Sequence, residues 1–259
     1  MRMIHDILKW VILLSIFTVS INSYSQTAPD SAYAATNYSE AIKGYSRMIE
    51  DSPQGTEEQY YNLGCAYYKS ADYGRAILNF ERAFRINPTD SDTRFNLKLA
   101  HSKAVDKIDS NDSLLTPALN GVTYTLSIKG WMILGLFFFV LGLAGIAIYL
   151  LSVSRKYRMV GFYVAIASVV LCVVSNLFAY RSYSISFEEK EAILLSNVVT
   201  LKSSPDQSAT DIATLHAGLK VSVDQTLNGF SEITLPDGVV GWVPMDSYEK
   251  ILTDKMQPR

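Results

Sequence analysis

Residues 131–180 read WMILGLFFFVLGLAGIAIYLLSV (131–153), SRKYR (154–158) and MVGFYVAIASVVLCVVSNLFAY (159–180). Neither long run carries a charge, and each is long enough for a helix to cross a hydrocarbon core of roughly 30 Å. Charge at a bilayer centre costs about 2.5–3.5 kcal/mol per Lys, Arg or Asp on insertion scales, so two uncharged runs of this length predict a transmembrane hairpin. A buried soluble helical hairpin is the alternative. Two crossings return the chain to its starting side, so everything before Trp131 and after Tyr180 shares one face of the membrane. The connector holds Arg155, Lys156 and Arg158 and no acid. Short loops rich in Lys and Arg stay cytoplasmic, which predicts two extracytoplasmic domains, with Lys129 and Arg181 at the outer boundary.

In the second run Gly161, Ala165, Ser168, Cys172, Ser175 and Ala179 recur at alternating spacings of four and three, a row along one helix face. Small residues let membrane helices approach closely. The row faces either Gly135, Gly142 and Gly145 of the first run or another membrane protein. Neither run contains Asp, Glu, Lys or Arg, so a proton or transport pathway has no support, and the pair reads as an anchor.

The whole chain has 259 residues and a formal net charge of −2, with 49% hydrophobic content. That balance argues against a basic nucleic-acid binder and leaves room for two small domains beside the hairpin. Two cysteines are too few for a disulfide framework, and Cys65 and Cys172 fall in separate domains, where they serve as small apolar residues. The first residues follow the signal-peptide pattern: Arg2 and Lys9, an apolar core from Trp10 to about Ile21, then Ser23 and Ser25. A signal over 1–25 with cleavage near Ser25/Gln26 is expected, and an uncleaved anchor is the alternative. Both place the next domain outside the cytoplasm.

From Glu57 to Asp90 the chain reads EEQYYNLGCAYYKSADYGRAILNFERAFRINPTD. Tyr60, Leu63 and Tyr67, then Ala76, Phe80 and Ala83, recur at helical spacing. Gly64 leaves room for a neighbouring helix, 71–74 turns, and Pro88 closes the unit. This resembles the tetratricopeptide repeat in its Leu-Gly-x-x-Tyr, Ala-x-x-x-Phe and terminal Pro signature, with Tyr60 where Trp is usual. Tyr38, Ala41, Tyr45 and Pro53 repeat the pattern upstream, which predicts repeats over about 27–55 and 57–90 within a domain spanning 26–107. A helix over 92–106, with Phe95, Leu97, Leu99, Ala100 and Ala104, is expected to cap the last apolar face.

The resemblance implies binding of protein segments. Asn62 sits where some relatives carry one Asn of a carboxylate clamp, but Asp92 and Asn96 occupy the slots that want Lys and Arg, so carboxylate capture is not expected. Tyr anchors are common at interfaces, and Tyr61 and Tyr68, with Asn62, are the expected partner-binding residues. A linker over 108–130 leads to the hairpin; its periodicity does not decide whether 114–128 lies along the membrane surface.

After the hairpin the period becomes two: Leu219, Val221 and Val223 alternate with Lys220, Ser222 and Asp224, and Ile233 and Leu235 flank Thr234. Asn228-Gly229 and Asp237-Gly238 mark tight hairpin turns. The order of these residues through the closing Asp-Gly-x-x-Gly-Trp-Val resembles the bacterial Src-homology-3-like (SH3-like) family over 192–251. Members often bind wall glycopeptides or peptides, which makes Phe230, Trp242, Pro244 and Tyr248 a possible ligand groove. For Phe230 and Trp242 the favoured reading is core, since a barrel this small has few other large side chains to bury.

The histidines are His5, His101 and His216, none beside a carboxylate or cysteine pattern, and no nucleophile elbow or phosphate-cradling loop appears. No catalytic, cofactor or metal site is expected, and the chain reads as a non-enzyme. The fold class is a multidomain membrane protein: an all-α repeat domain, two transmembrane helices (131–153 and 159–180, joined by the cytoplasmic loop 154–158) and a small all-β barrel. This order resembles the E-type component of the Bat (Bacteroides aerotolerance) system. The resemblance implies a bacterial inner-membrane protein with both domains periplasmic, acting as a scaffold beside von Willebrand A-domain partners. A peptidoglycan-binding or envelope-sensing module is the competing reading.

Overall fold

The computed structural model describes residues 28–52, 54–107, 115–252 and 256. The expected signal segment and Pro53 lie outside these residues. The chain forms a helical repeat region, a hairpin of two long apolar helices and a C-terminal antiparallel sheet.

The helical region comprises α1 (Ala28–Ala34), α2 (Tyr38–Asp51), α3 (Glu57–Lys69), α4 (Tyr73–Ile86) and α5 (Ser91–Lys103). Its period is written in the backbone. Thr36 and Ala71 both adopt positive φ, 60° and 62°, just before the next helix. Each is followed by a capping side chain: Asn37 accepts from the Glu40 N–H and Asp72 from the Arg75 N–H. Thr56 and Gln59 form a reciprocal capping box on α3. Such caps contribute about 1 kcal/mol each by satisfying donors the helix cannot. Gly64 lets α3 press on α4, since a Cβ there would meet the Phe80 ring at 2.8 Å.

The hairpin comprises α7 (Ile128–Leu151) and α8 (Arg155–Ser186), with mean hydropathy 2.6 and 2.2 over their most apolar windows. Both are long and apolar enough to cross a membrane. The small-residue row faces α7: Gly161, Ser168, Ser175 and Ala179 are buried, Ala165 and Cys172 are half-buried, and Gly135, Gly142 and Gly145 are buried opposite them. A Cβ on Gly161 would lie 2.7 Å from the Gly145 carbonyl oxygen. The two helices therefore fill each other's small face.

Two boundaries differ from the sequence reading. α8 starts at Arg155, inside the stretch expected as a loop, because Arg and Lys are good helix formers and nothing in 155–158 breaks a helix. It then continues past Tyr180 to Ser186, with no Gly or Pro to stop it. The stretch expected as a linker contains α6 (Thr116–Thr123), opened by Pro117 in its first turn. Trp131 fixes the corner between α6 and α7: its indole N–H donates to the Thr123 carbonyl at 3.0 Å, and its ring stacks on Phe178.

The C-terminal strands are β1 (Glu191–Leu194), β2 (Val198–Lys202), β3 (Asp211–His216), β4 (Lys220–Leu227), β5 (Phe230–Thr234), β6 (Val240–Pro244) and β7 (Tyr248–Lys250). They make one antiparallel sheet in the order β3-β2-β6-β5-β4-β1-β7. Asn228 and Gly229 turn β4 into β5 with φ of 53° and 81°, and Gly238 turns β5 into β6 with φ of 88°. Both expected turns are thus present. Alternating residues, among them Val221, Val223, Ile233 and Val243, build the sheet's apolar core.

The repeat region and the sheet are packed together. Ile193 of β1 and Ile251 join Ala76, Ile77, Leu78 and Phe80 in one buried cluster. The approach is closest where Gly74 meets the β3–β4 turn: a Cβ on Gly74 would lie 3.3 Å from the Gly218 backbone nitrogen. Gly218 has φ of 94°, and a Cβ there would sit 3.0 Å from Ile77 Cδ1. Gly218→Ala is expected to cost about 1–2 kcal/mol from the left-handed backbone alone, read as a lowered denaturant midpoint of the full-length chain.

Candidate partner-binding surfaces

On the repeat region Tyr61, Asn62 and Tyr68 are all half-buried on α3. Tyr61 packs at 5.9 Å from the Phe80 ring, and its hydroxyl accepts from the Asn96 amide at 2.8 Å. That bond ties α3 to α5, so Tyr61 shares its surface with a structural duty. Tyr68 makes an edge contact with Tyr73 at 5.5 Å. Beneath them, burial pushes the Cys65 thiol up to about 11, which keeps it protonated and inert at neutral pH.

On the sheet, register pairs Phe230 with Pro244 and Glu232 with Trp242, which puts these four on one face, opposite Ile233 and Val243. Phe230 and Trp242 are each 8% exposed, yet neither belongs to the main apolar core. Pro244 and Tyr248 are half-buried, and the Tyr248 hydroxyl is 2.9 Å from Ser231 Oγ. The two large rings are therefore buried, with Pro244 at the accessible edge of their face, whereas Tyr248 packs against the apolar core on the side of Ser231, so the expected groove residues are not all brought together.

A third feature has no trace in the local sequence pattern. Between α4 and the sheet lies a network of buried charges. Lys220 of β4 reaches Glu81 at 3.3 Å and Glu191 of β1 at 2.7 Å. Arg85 pairs with the same Glu191 and donates to the Ile185 carbonyl at the end of α8. Arg82 donates to the Ile251 and Lys250 carbonyls and to Glu249, and its guanidinium lies 5.8 Å over the Tyr60 ring. Asp106 accepts from the His216 backbone N–H at 2.6 Å and lies 2.9 Å from that residue's Nδ1. Glu81 and Arg85 of the repeat, Glu191 and Lys220 of the sheet and the Ile185 carbonyl of α8 thus meet, with the Arg82 and Asp106 contacts as further ties between repeat and sheet.

The charges reinforce one another. Burial pushes the Glu81 carboxyl up, but Lys220 and the nearby His101 and Arg85 outweigh it and hold the acid at about 2 rather than 4.5. Burial pulls the Lys220 ammonium down, and Glu81 and Glu191 more than offset it. Because the folded carboxyl is the stronger acid, Glu81 contributes stability that is complete above about pH 4.5 and is lost as pH falls toward about 2. Unfolding midpoints measured from pH 6 to about pH 2.5 should fall across that window, and Glu81→Gln should flatten the fall.

α2, α3, α4 and Glu249 enclose a cleft of about 470 Å³. Ile49, Leu63 and Leu78 give it apolar walls, and Arg75 and Asn79 give it polar ones. It adjoins the C-terminal tail, whose Leu252 and Met256 are buried against Tyr60 and Ala83. Among the described residues no group of three or more His, Cys, Asp or Glu is placed to hold a metal ion.

Comparison with known families finds a tetratricopeptide repeat over residues 57–90, spanning α3 and α4. No curated protein matches the sequence. The repeat is a protein-binding unit, and it is the same unit whose second helix carries Glu81, Arg82 and Arg85.

Proposed function

We propose that this chain is a membrane-anchored scaffold that holds partner proteins through its tetratricopeptide surface. The observation that carries this reading is the repeat at 57–90, built on α3 and α4 and locked to the sheet by the Glu81–Lys220–Glu191–Arg85 network. A repeat fixed in this way presents a surface that does not reorganise on binding, so little ordering entropy opposes capture. The hairpin, with no charge inside either apolar run, is the anchor. The cationic connector supports a placement of the repeats and the sheet on the outer side. A cleaved signal over 1–25 agrees with that placement.

The domain order gives the reading its context. Signal, repeats, hairpin and an SH3-like domain resemble the E-type Bat protein, so the partners are proposed to be von Willebrand A-domain proteins of an envelope complex linked to aerotolerance. The domain limits proposed from the sequence, 26–107 for the repeats and 192–251 for the SH3-like domain, belong to the same reading. Asn62 and Tyr68 are the proposed contact residues, with Tyr61 beside them. No step of this role needs catalysis, a cofactor or a nucleic acid.

The test is co-purification of the full-length chain, in detergent, with a co-expressed von Willebrand A-domain membrane protein. Asn62→Arg with Tyr68→Ala should lower the captured partner by about tenfold, the effect of losing one anchor of about 1.4 kcal/mol. Undiminished capture would remove the repeat surface from the interaction. The second reading, wall binding through the sheet, rests on Pro244 being accessible beside two buried rings. Sedimentation of the detergent-solubilised chain with purified peptidoglycan tests it, and protein left wholly in the supernatant would dismiss it.

A further inference from the structure

We propose that the cleft behind α6 is a binding site for the headgroup of a zwitterionic phospholipid, with phosphatidylethanolamine the preferred occupant. This rests on the anchoring of the hairpin in a bilayer. α6 and its flanks carry Leu115, Leu119, Val122 and Leu126 along one outward face, with exposures of 68%, 43%, 44% and 36%. Leu119, Val122 and Leu126, at steps of three and four, present apolar side chains outward. α6 leads within a few residues into α7, so this stripe lies where the apolar run begins and fits the boundary between headgroups and acyl chains. Tyr180, 73% exposed, marks the same level on α8.

The opposite face of α6 does something else. Thr116, Asn120 and Tyr124 line a cleft of about 540 Å³, closed on its other sides by α4, the end of α8 and β1. The cleft therefore opens at the height of lipid headgroups. Its charges sort into two groups. Arg85, Lys220, Glu81 and Glu191 neutralise one another in the network above. Arg181 and Glu188 are left. Arg181 Nη2 donates to Asn120 Oδ1 at 2.8 Å and Glu188 accepts from the Lys190 backbone N–H at 3.3 Å, and among the described residues neither side chain makes an ion pair.

A second observation points to a missing ligand. Arg181 Nε and Arg85 Nε are both out of solvent with no hydrogen-bond partner. The Arg85 side chain is only 3% exposed and lines the cleft. Leaving such donors unmet costs free energy that a bound anion recovers. An arginine without a carboxylate partner takes a phosphate, and the Ser184 hydroxyl one turn further along α8 lies on the same wall. Glu188, about two turns beyond Arg181, then faces the other end of the headgroup. A phosphate on Arg181 and an ammonium on Glu188 is the charge order of phosphoethanolamine. Phosphatidylglycerol supplies the phosphate and not the ammonium.

The experiment is native mass spectrometry of the full-length chain released from nanodiscs containing equal phosphatidylethanolamine and phosphatidylglycerol. The chain should retain phosphatidylethanolamine in about tenfold excess over phosphatidylglycerol, the worth of one charge-assisted contact. Glu188→Gln, a substitution outside any packed cluster, should abolish that preference while lipid is still retained. Arg181→Gln should lower retention of both lipids by about tenfold, with its thermal melt measured beside it. Equal retention by the parent chain and a well-folded Arg181→Gln would overturn the site, as would a preference unaffected by Glu188→Gln. Free phosphoethanolamine displacing the lipid at equal concentration would reassign the cleft to a soluble phosphate. Alkaline carbonate extraction separates the two readings: a chain released by carbonate removes both the anchor and the site, whereas an integral chain that retains lipid without Arg181 removes the site alone.

Discussion

Glu81→Ala is expected to destabilise the full-length chain by about 3–5 kcal/mol, the usual consequence of removing one partner from a buried charge network. Glu81 is 4% exposed, and it faces Lys220 and Arg85 with His101 at 3.8 Å. Without it the Lys220 ammonium keeps Glu191, but Arg85 already claims the same carboxylate. The net charge of the site rises by one beside the deeply buried Arg85 guanidinium. The contacts are shared by α4, α8 and the sheet, so repeats and sheet should lose stability together. The readout is denaturant unfolding followed at two places, a fluorophore on the repeats and the Trp242 signal on the sheet. Coincident transitions shifted by the same amount are the expected result; a sheet that unfolds unchanged would show the network to be dispensable. Glu81→Gln should cost less, since an amide keeps the size and can still accept from Lys220.

Gly161→Val should be the most damaging single change in the hairpin. The added Cβ would stand 2.7 Å from the Gly145 carbonyl oxygen and 2.8 Å from the Tyr149 backbone nitrogen. Both are backbone atoms of a packed helix, so neither can move aside as a flexible side chain would. The helices must separate, and the stripe at Gly135, Gly142, Ser168 and Ser175 separates with them. Overpacking of this kind costs about 1–3 kcal/mol. Paired cysteines placed at 142 and 168 of a chain lacking Cys65 and Cys172 report the distance: their oxidative cross-link should form readily in the parent hairpin and fail in the Gly161→Val form. A cross-link that persists at the parent rate would mean the helices do not meet along this row.

The hairpin, the repeat and both tight turns were legible because each is specified by neighbours in sequence. An uncharged run of membrane length, an Ala-x-x-x-Phe spacing, and Asn-Gly or Asp-Gly between alternating strands act within a few residues. The small-residue row along the second apolar helix was also legible, with the first apolar helix favoured as its partner over a neighbouring protein, and the structure places it there. The docking of the sheet on α4 was not legible. α4 reads as an amphipathic helix with Glu81, Arg82 and Arg85 on its polar side, yet it is buried almost all round. Its polar side is covered by charges from Glu191, Lys220 and Glu249, more than a hundred positions away. No local spacing encodes such a pairing. Tyr61 and Trp242 show the same limit in single residues. Each was a candidate contact by type, and the structure gives Tyr61 a hydroxyl partner on α5 and buries Trp242.

One consequence lies in the length of α8. At 1.5 Å per residue its 32 residues span roughly 48 Å, while a hydrocarbon core takes about 30 Å of that. On the proposed anchoring, the six residues past Tyr180, about 9 Å at 1.5 Å per residue, rise toward the repeats as a stiff post, and the Ile185 carbonyl near its tip is held by Arg85 of the repeat. With the tip of the post held by Arg85, a client seated on the repeats would stand at one height above the lipid and at one bearing around the post. Such an arrangement works as a gauge: it selects partners whose own membrane stems bring their soluble heads to the same level, and it turns away those that are a few turns too short or too tall.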